Sequence, residues 1–444
     1  MNNDIVAKPL FSPLKGEIEI PPDKSISHRG IILGSLTNGK IKISNFSKGQ
    51  DCISTLNIFK NLGLESEYLD EKTVVINSKN GLVAPLSDLD CGNSGTTMRL
   101  MSGLLSGQKF SSVLFGDKSL SKRPMKRVIE PLSLMGAKIE SNENKAPLKI
   151  IGTKLNGITY CSKISSAQVK SSILLAGFNA LGQTTVVEPI LSRDHTERML
   201  AYFDADIQTG VVDNQKSLAL GLETSIGFYS TIRNSFLIPK DIFVPGDISS
   251  ASFFMVAAAI VKNSDIVIKN IGLNQTRTGI IDVLKMMNAD IEILDKRVVN
   301  NEDIGDIRVK YSPDLAGCTI EGDIIPRLID EIPIICVLSL FANGQTIIKN
   351  ASDLKNKESD RILCTAVELQ KMGADIIPTD DGFIINGGKQ LKGDADLNCY
   401  HDHRLAMSFF VASLASKNES LIREFNWVNT SFPEFLNLFA KLGV

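Results

Sequence analysis

The 444-residue sequence predicts an α/β protein of two domains, each made of three copies of one helix–strand–helix–strand–strand unit. Three observations predict it. A small tripeptide closing amphipathic text recurs at Leu62-Gly63-Leu64, Met135-Gly136-Ala137, Phe203-Asp204-Ala205, Met287-Asn288-Ala289, Met372-Gly373-Ala374 and Leu442-Gly443-Val444, with middle residues 73, 68, 84, 85 and 70 apart. A second landmark, a polar residue opening an apolar run, falls at Ser25, Asn93, Ser166, Asp247, Asp330 and Asp402, and keeps the same phase. The length, finally, exceeds the roughly 250–300 residues at which a single core stops growing.

Within each copy the apolar run comes first. SSASFFMVAAAIV from Ser249 and RLAMSFFVASLAS from Arg404 are apolar nearly all round, which predicts a helix buried on most sides with only its N-terminus polar. A strand rich in β-branched residues follows, as in KIKISNF from Lys40, QTTVVEP from Gln183, DIVIKNI from Asp265 and QTIIKNA from Gln345. An amphipathic helix then ends at the tripeptide, whose middle Gly, Asn or Asp tolerates the left-handed conformation of a helix C-cap. Strand-like text such as AKIE, ADIE and ADII comes next.

The sixth copy stops at Val444 without its closing strand pair, and the segment before Pro22, with alternating Ile18 and Ile20, is expected to supply a strand there. The predicted domains are therefore 24–245 and 1–23 plus 246–444. Prolines at Pro21-Pro22 and Val244-Pro245-Gly246 mark the two crossings between them as restricted connectors.

Composition narrows the partners. With 48 Lys+Arg against 50 Asp+Glu the net charge is −2, which opposes a nucleic-acid binder. No apolar stretch reaches the ~20 residues that span a bilayer, so no membrane partner is expected. The N-terminus reads as neither signal nor transit peptide, and the seven cysteines form no C-x-x-C pair, so a reduced, cytoplasmic location is expected. Scattered Cys and His lack ligand spacing, and GNSGTT lacks the lysine of a phosphate-binding loop; neither a metal nor a nucleotide cofactor is predicted.

Chemistry concentrates at the N-termini of the buried helices, which carry DKSISHR, GNSGTTMR, SSAQVKS, GDISSAS, IDEIP and HDHR. Helix N-termini present unpaired N–H groups and partial positive charge, so several converging make an anion site. Taken singly, each is better explained as a cap or a surface loop, since Ser, Asp and Asn are preferred N-caps. Their joint recurrence with Lys24, Arg29, Arg99, Arg123, Lys170, Arg193, Arg277, Lys357, Arg361 and Arg404 points to small anionic ligands. Among such cations Asp330 stays ionised, as a general base requires, although an Asp330-Glu331 helix cap accounts for the same text. Glu358 reads either as a proton carrier or as the ion-pair partner of its basic neighbours. His403 is the histidine best placed to act; His28 reads as a surface residue and His195 as a bond to a neighbouring loop.

The ordered set PPDKSISHR, CGNSGTTMRL, SKRPMKR, SSAQVKS, VPGDISSAS, PRLIDEIP, KESDR and HDHRLAM resembles the 5-enolpyruvylshikimate-3-phosphate synthases, also called 3-phosphoshikimate 1-carboxyvinyltransferases. RDHTER, Gly116-Asp117-Lys118 and Asn274-x-Thr276-Arg277 are similar to their second class. The resemblance implies two domains of three βαβαββ units, an inside-out α/β barrel of the enolpyruvyl transferase type, with the active site in the interdomain cleft. It implies transfer of the enolpyruvyl group of phosphoenolpyruvate to the 5-hydroxyl of shikimate 3-phosphate by a monomer without cofactors. Shikimate 3-phosphate would be held by Lys24, Ser25, Arg29, Ser165, Ser166, Gln168, Asp330 and Lys357, and phosphoenolpyruvate by Lys24, Asn93, Gly95, Arg123, Gln168, Arg361 and Arg404. Asp330, Glu358, Lys24 and His403 would move protons. The UDP-N-acetylglucosamine enolpyruvyl transferases share the architecture, but carry Lys-Asn where this chain has Lys24-Ser25 and a loop cysteine near the place of Arg123. A non-catalytic polyanion-binding repeat would require a pI well above 9, against about 6.2 here.

Overall fold

A computed structural model describes residues 3–79, 81–221 and 226–444; the first two residues of the 1–23 segment, and positions 80 and 222–225 of the 24–245 segment, lie outside the described residues. The chain divides into a terminal unit, Met1–Pro21, Pro245–Val298 and Asp303–Val444, and a middle unit, Pro22–Val244 with Val299–Glu302.

All six tripeptides end helices in left-handed backbone, with φ of 93° at Gly63, 95° at Gly136, 62° at Asp204, 62° at Asn288, 89° at Gly373 and 103° at Gly443. Glycine, asparagine and aspartate meet the least steric penalty there, which is why a sparse pattern marked the repeat. In the middle unit the buried helices are Lys24–Gly34, Gly95–Ser106 and Ala167–Phe178; in the terminal unit they are Ile248–Ile260, Ile332–Leu340 and His403–Leu414. Every residue of Ile332–Leu340 is buried. Each unit has its own apolar core, and a cluster of Phe254, Phe410, Phe432, Phe435 and Phe439 fills part of the terminal one, with Phe254 stacked on Phe439 at 4.3 Å.

Five sheets have four strands and one has three. In each four-stranded sheet a short strand runs parallel to the strand that follows the buried helix, and that strand pairs antiparallel with one of the two closing strands, as in Leu89–Asp90, Ser111–Phe115, Lys145–Ile151 and Lys138–Asn142. All six are open, and no closed barrel occurs among the described residues.

The crossings alter the pairing expected for the N-terminus. Lys15–Glu19, which contains Ile18, runs parallel to Asp265–Gly272 and so completes the fourth sheet. The sixth sheet is completed by Ile5–Ala7 against Ser420–Arg423. The reason lies in the parallel edge strand that precedes every buried helix: at a crossing it stays in the unit the chain is leaving. Ile242–Phe243 does the same on the other side, pairing with Gly39–Ser44.

No helix among the described residues is long and apolar enough to cross a membrane.

Candidate active-site residues in the two units

In the middle unit the three buried helices begin beside one another, because side chains at their N-termini bond across. Asp23 caps the first, accepting from the Ile26 amide at 2.8 Å, and Ser94 caps the second through the Thr97 amide at 3.1 Å. The caps thus sit beside Ser25 and Asn93, the residues expected to open these helices: Ser25 falls in the first turn of its helix, and Asn93 lies just before the Ser94 cap. Lys24 Nζ lies 2.6 Å from Asp51 Oδ2.

Gly95 lies between two guanidinium groups. A Cβ there would stand 2.9 Å from Arg99 Nη1 and 3.4 Å from Arg123 Nη1, so only glycine leaves this space to a ligand. Arg123 Nη2 donates to Asn93 Oδ1 at 3.0 Å, and Asn93 Nδ2 donates to Asp117 Oδ2 at 2.7 Å. Gln168 joins the third helix to this group: its Oε1 accepts from Arg99 Nη1, and its Nε2 donates to Thr96 Oγ1 at 2.9 Å. Burial, with Arg123 and Arg127 nearby, lowers the Arg99 pKa to about 10. Arg99 is one of the cations of the sequence pattern, with no ligand expected of it. Its position one helical turn after Gly95 was the available signal.

Arg29 is buried and lowered to about 10 by burial. Its Nε donates to Thr196 Oγ1 at 2.6 Å, Nη1 to the Ser25 carbonyl at 3.0 Å and Nη2 to Ser171 Oγ at 2.9 Å. Ser166 caps the third helix through its backbone, without a side-chain bond, while Ser165 Oγ is tied to the Ile190 backbone.

Two expectations change here, those for Lys170 and His28, while His195 bonds a neighbouring loop as expected. Lys170 is 2% exposed and held by Glu188 at 2.5 Å and Glu197 at 2.8 Å, so it neutralises buried carboxylates and faces no ligand. Burial alone would lower its pKa; the two glutamates raise it instead. His28 is buried, with Nδ1 2.7 Å from Thr55 Oγ1, and Thr55 continues to Thr97 at 2.7 Å. Burial pushes its imidazole down to about 3. His195 Nδ1 bonds Glu302 Oε1 at 2.7 Å, in the 299–302 turn.

In the terminal unit Arg361 is the hub. It is 1% exposed, and its Nε donates to Asp402 Oδ2 at 2.7 Å while Nη2 donates to Glu358 Oε2 at 2.6 Å. Its Nη1 has no hydrogen-bond partner, although Asp330 Oδ1 lies 3.6 Å away. Burial opposes the charge, but Asp402 and Glu358 hold the pKa above the usual arginine value. Lys357 Nζ donates to Asp330 Oδ1 at 3.1 Å, and Arg404 Nη1 to the Asp330 carbonyl at 3.2 Å. The helix cap beside Asp330 is Glu331, whose buried side chain bonds Ser249. Asp330 is therefore left as a carboxylate among cations.

Arg277, expected among the ligand cations, donates to Asp247 at 3.0 Å and Ser249 at 2.8 Å within the protein. Asp402 was missed as a site residue: besides Arg361 it accepts from the Arg404 amide at 2.9 Å and Ser359 Oγ at 3.1 Å. Burial would raise its pKa, and Arg361 lowers it. His403, next to it, is pushed down to about 4 by burial, against the pull of Asp402. Its imidazole is neutral at pH 7.

Chemically, each unit presents clustered arginine and lysine, and the terminal unit adds the unpartnered Arg361 Nη1 and carboxylates of unequal surroundings. That combination binds small anions and moves protons.

A family model described as EPSP synthase (3-phosphoshikimate 1-carboxyvinyltransferase) matches residues 10–439. The chain is 48% identical over 434 residues to the 3-phosphoshikimate 1-carboxyvinyltransferase of Petrotoga mobilis, covering 97% of each. It is 50% identical over 432 residues to that of a Thermoanaerobacter species, covering 97% of this chain and 98% of the relative. A solved structure of EPSP synthase from Acinetobacter baumannii superposes with a TM-score of 0.87 at 42% identity, covering 99% of this chain and 98% of that one.

Proposed function

Because the chain belongs to the EPSP synthase (3-phosphoshikimate 1-carboxyvinyltransferase) family, we propose that it transfers the enolpyruvyl group of phosphoenolpyruvate to the 5-hydroxyl of shikimate 3-phosphate, releasing phosphate in the route to chorismate and the aromatic amino acids. The observation that carries the site assignment is the buried Arg361 Nη1, a cationic donor without a hydrogen-bond partner, beside the Asp330 carboxylate.

The reaction needs two proton movements. The alcohol oxygen attacks carbon 2 of phosphoenolpyruvate as its proton leaves and carbon 3 gains one. Carbon 3 then gives a proton back while the bond to the phosphate oxygen breaks. Asp330, whose Oδ1 lies 3.1 Å from Lys357 Nζ and 3.6 Å from Arg361 Nη1, takes the hydroxyl proton. Lys24 and Glu358 serve the carbon 3 proton. His403, neutral at pH 7, orients or accepts; it is not a standing acid. Arg123, Arg361 and Arg404, with Lys24, Asn93, Gly95 and Gln168, hold phosphoenolpyruvate and stabilise charge as phosphate departs. Lys24, Ser25, Arg29, Ser165, Ser166 and Gln168 hold shikimate 3-phosphate together with Asp330 and Lys357. One carbon–oxygen bond forms and one breaks, with proton transfer and no net oxidation or reduction, so the mechanism needs no redox cofactor, and arginine and lysine supply the positive charge. The enzyme works as a cytoplasmic monomer on two small anions.

The test is phosphate release from phosphoenolpyruvate, dependent on shikimate 3-phosphate and absent with UDP-N-acetylglucosamine. Arg123→Lys and Arg404→Lys each remove one fork of a bidentate contact and should raise KM for phosphoenolpyruvate about tenfold, more than KM for shikimate 3-phosphate. Equal weakening of both substrates contradicts the assignment.

A further inference from the structure

Between the strand Asp396–Asn398 and the helix His403–Leu414 the chain reverses through Cys399–Asp402. The Asp402 amide closes this turn on the Cys399 carbonyl at 2.9 Å. Both central residues have positive φ, 53° at Tyr400 and 58° at His401. Such mirror-image turns favour asparagine and glycine at the centre, because a Cβ is unwelcome there. A tyrosine and a histidine persist in this backbone only where their surroundings hold them.

The surroundings do so on both sides. Tyr400 Oη donates to Glu368 Oε1 at 2.7 Å, and the Tyr400 amide donates to Asn398 Oδ1 at 2.7 Å. Glu368 is fully buried, and its other oxygen accepts from the Asn398 amide at 2.9 Å and from Lys371 Nζ at 2.7 Å. His401 Nδ1 lies 3.1 Å from Glu424 Oε2, and its ring meets Trp427 edge-on at 4.9 Å between centroids. Burial, reinforced by Glu368, pushes the Tyr400 hydroxyl up to about 12, so at neutral pH it remains a donor.

What the turn delivers is Asp402. This one carboxylate caps the following helix through the Arg404 amide and takes Arg361 Nε and Nη2 at 2.7 and 3.2 Å. A shift of the turn therefore moves the orientation of both arginines.

We infer that Tyr400 and His401 are positioning residues for phosphoenolpyruvate: their anchored left-handed turn sets Asp402, and Asp402 sets Arg361 and Arg404. The inference rests on the reading that these two arginines hold phosphoenolpyruvate.

Three variants test it in the phosphate-release assay. Tyr400→Phe removes only the bond to Glu368 and should raise KM for phosphoenolpyruvate about fivefold, leaving kcat and KM for shikimate 3-phosphate within about twofold. Tyr400→Asn combined with His401→Gly installs residues the turn itself prefers, so its melting temperature should equal or exceed that of the parent. Its KM for phosphoenolpyruvate should nevertheless rise about tenfold. A side chain needed only for folding would not separate stability from one substrate's KM in this way. If both variants keep that KM within twofold while Arg404→Lys raises it, the inference is overturned and the site assignment stands. If Arg404→Lys leaves it unmoved, the underlying reading fails and the inference falls with it.

Discussion

Asp330→Asn separates chemistry from structure more sharply than any other single change. The amide keeps an oxygen where Oδ1 accepts from Lys357 at 3.1 Å, and it is nearly the same size, but it cannot take a proton at neutral pH. Loss of a general base lowers turnover by roughly 10²–10⁴, equivalent to about 2.7–5.5 kcal/mol of barrier. The structural cost is much smaller. Asp330 and Lys357 side chains are 16% and 28% exposed, and partly solvated pairs of this kind contribute about 0–1 kcal/mol. Arg361 retains Asp402 and Glu358, so its buried charge stays compensated. The expected outcome is a kcat two to four orders of magnitude lower with a melting temperature within a few degrees of the parent. Initial rates of phosphate release with each substrate varied in turn, alongside calorimetry, measure both. A kcat within about threefold of the parent in a folded variant would refute the role given to Asp330.

Two further outcomes concern buried charge. Lys170→Met leaves Glu188 and Glu197 buried without their cation and should cost about 3–5 kcal/mol, read as a melting temperature lower by roughly 6–20 °C; a drop under 2 °C would contradict the ion triad. His28, among Asp23, Lys24, Arg29 and Asp51, is held neutral to about pH 3 by burial, whereas unfolded histidine binds a proton near pH 6.5. Below pH 6.5 the unfolded state therefore holds the extra proton, and stability falls as pH drops, by about 1.4 kcal/mol per unit for this one group. His28→Gln should flatten that slope between pH 6 and 4 in urea titrations; an unchanged slope would place the titration elsewhere.

The periodic features were legible because their causes are local. A helix end that needs left-handed backbone selects Gly63, Gly136, Asp204, Asn288, Gly373 and Gly443 whatever the rest of the chain does. A helix buried on all sides must be apolar throughout, as Ile332–Leu340 is. The cations of the site were legible for the same reason, since each lies in or next to a helix N-terminus. The eight ordered motifs reached the family that full-length comparison then established.

Tertiary structure decided which partners those groups meet. Ile18 sits in a strand that reads equally well beside any parallel neighbour, and only the crossing leaves it against Asp265–Gly272. Lys170 and Arg361 are both cations near the start of a helix, yet one is enclosed by two glutamates and the other keeps a bare Nη1 beside Asp330. Residue type sets a charge. Burial and the positions of groups distant in sequence set what that charge is worth, because the energy of a pair depends on separation and on the surrounding dielectric. By itself the sequence determined six repeats and a set of anion-binding residue types; the packing of helix ends within each unit decided which of them remain available for chemistry.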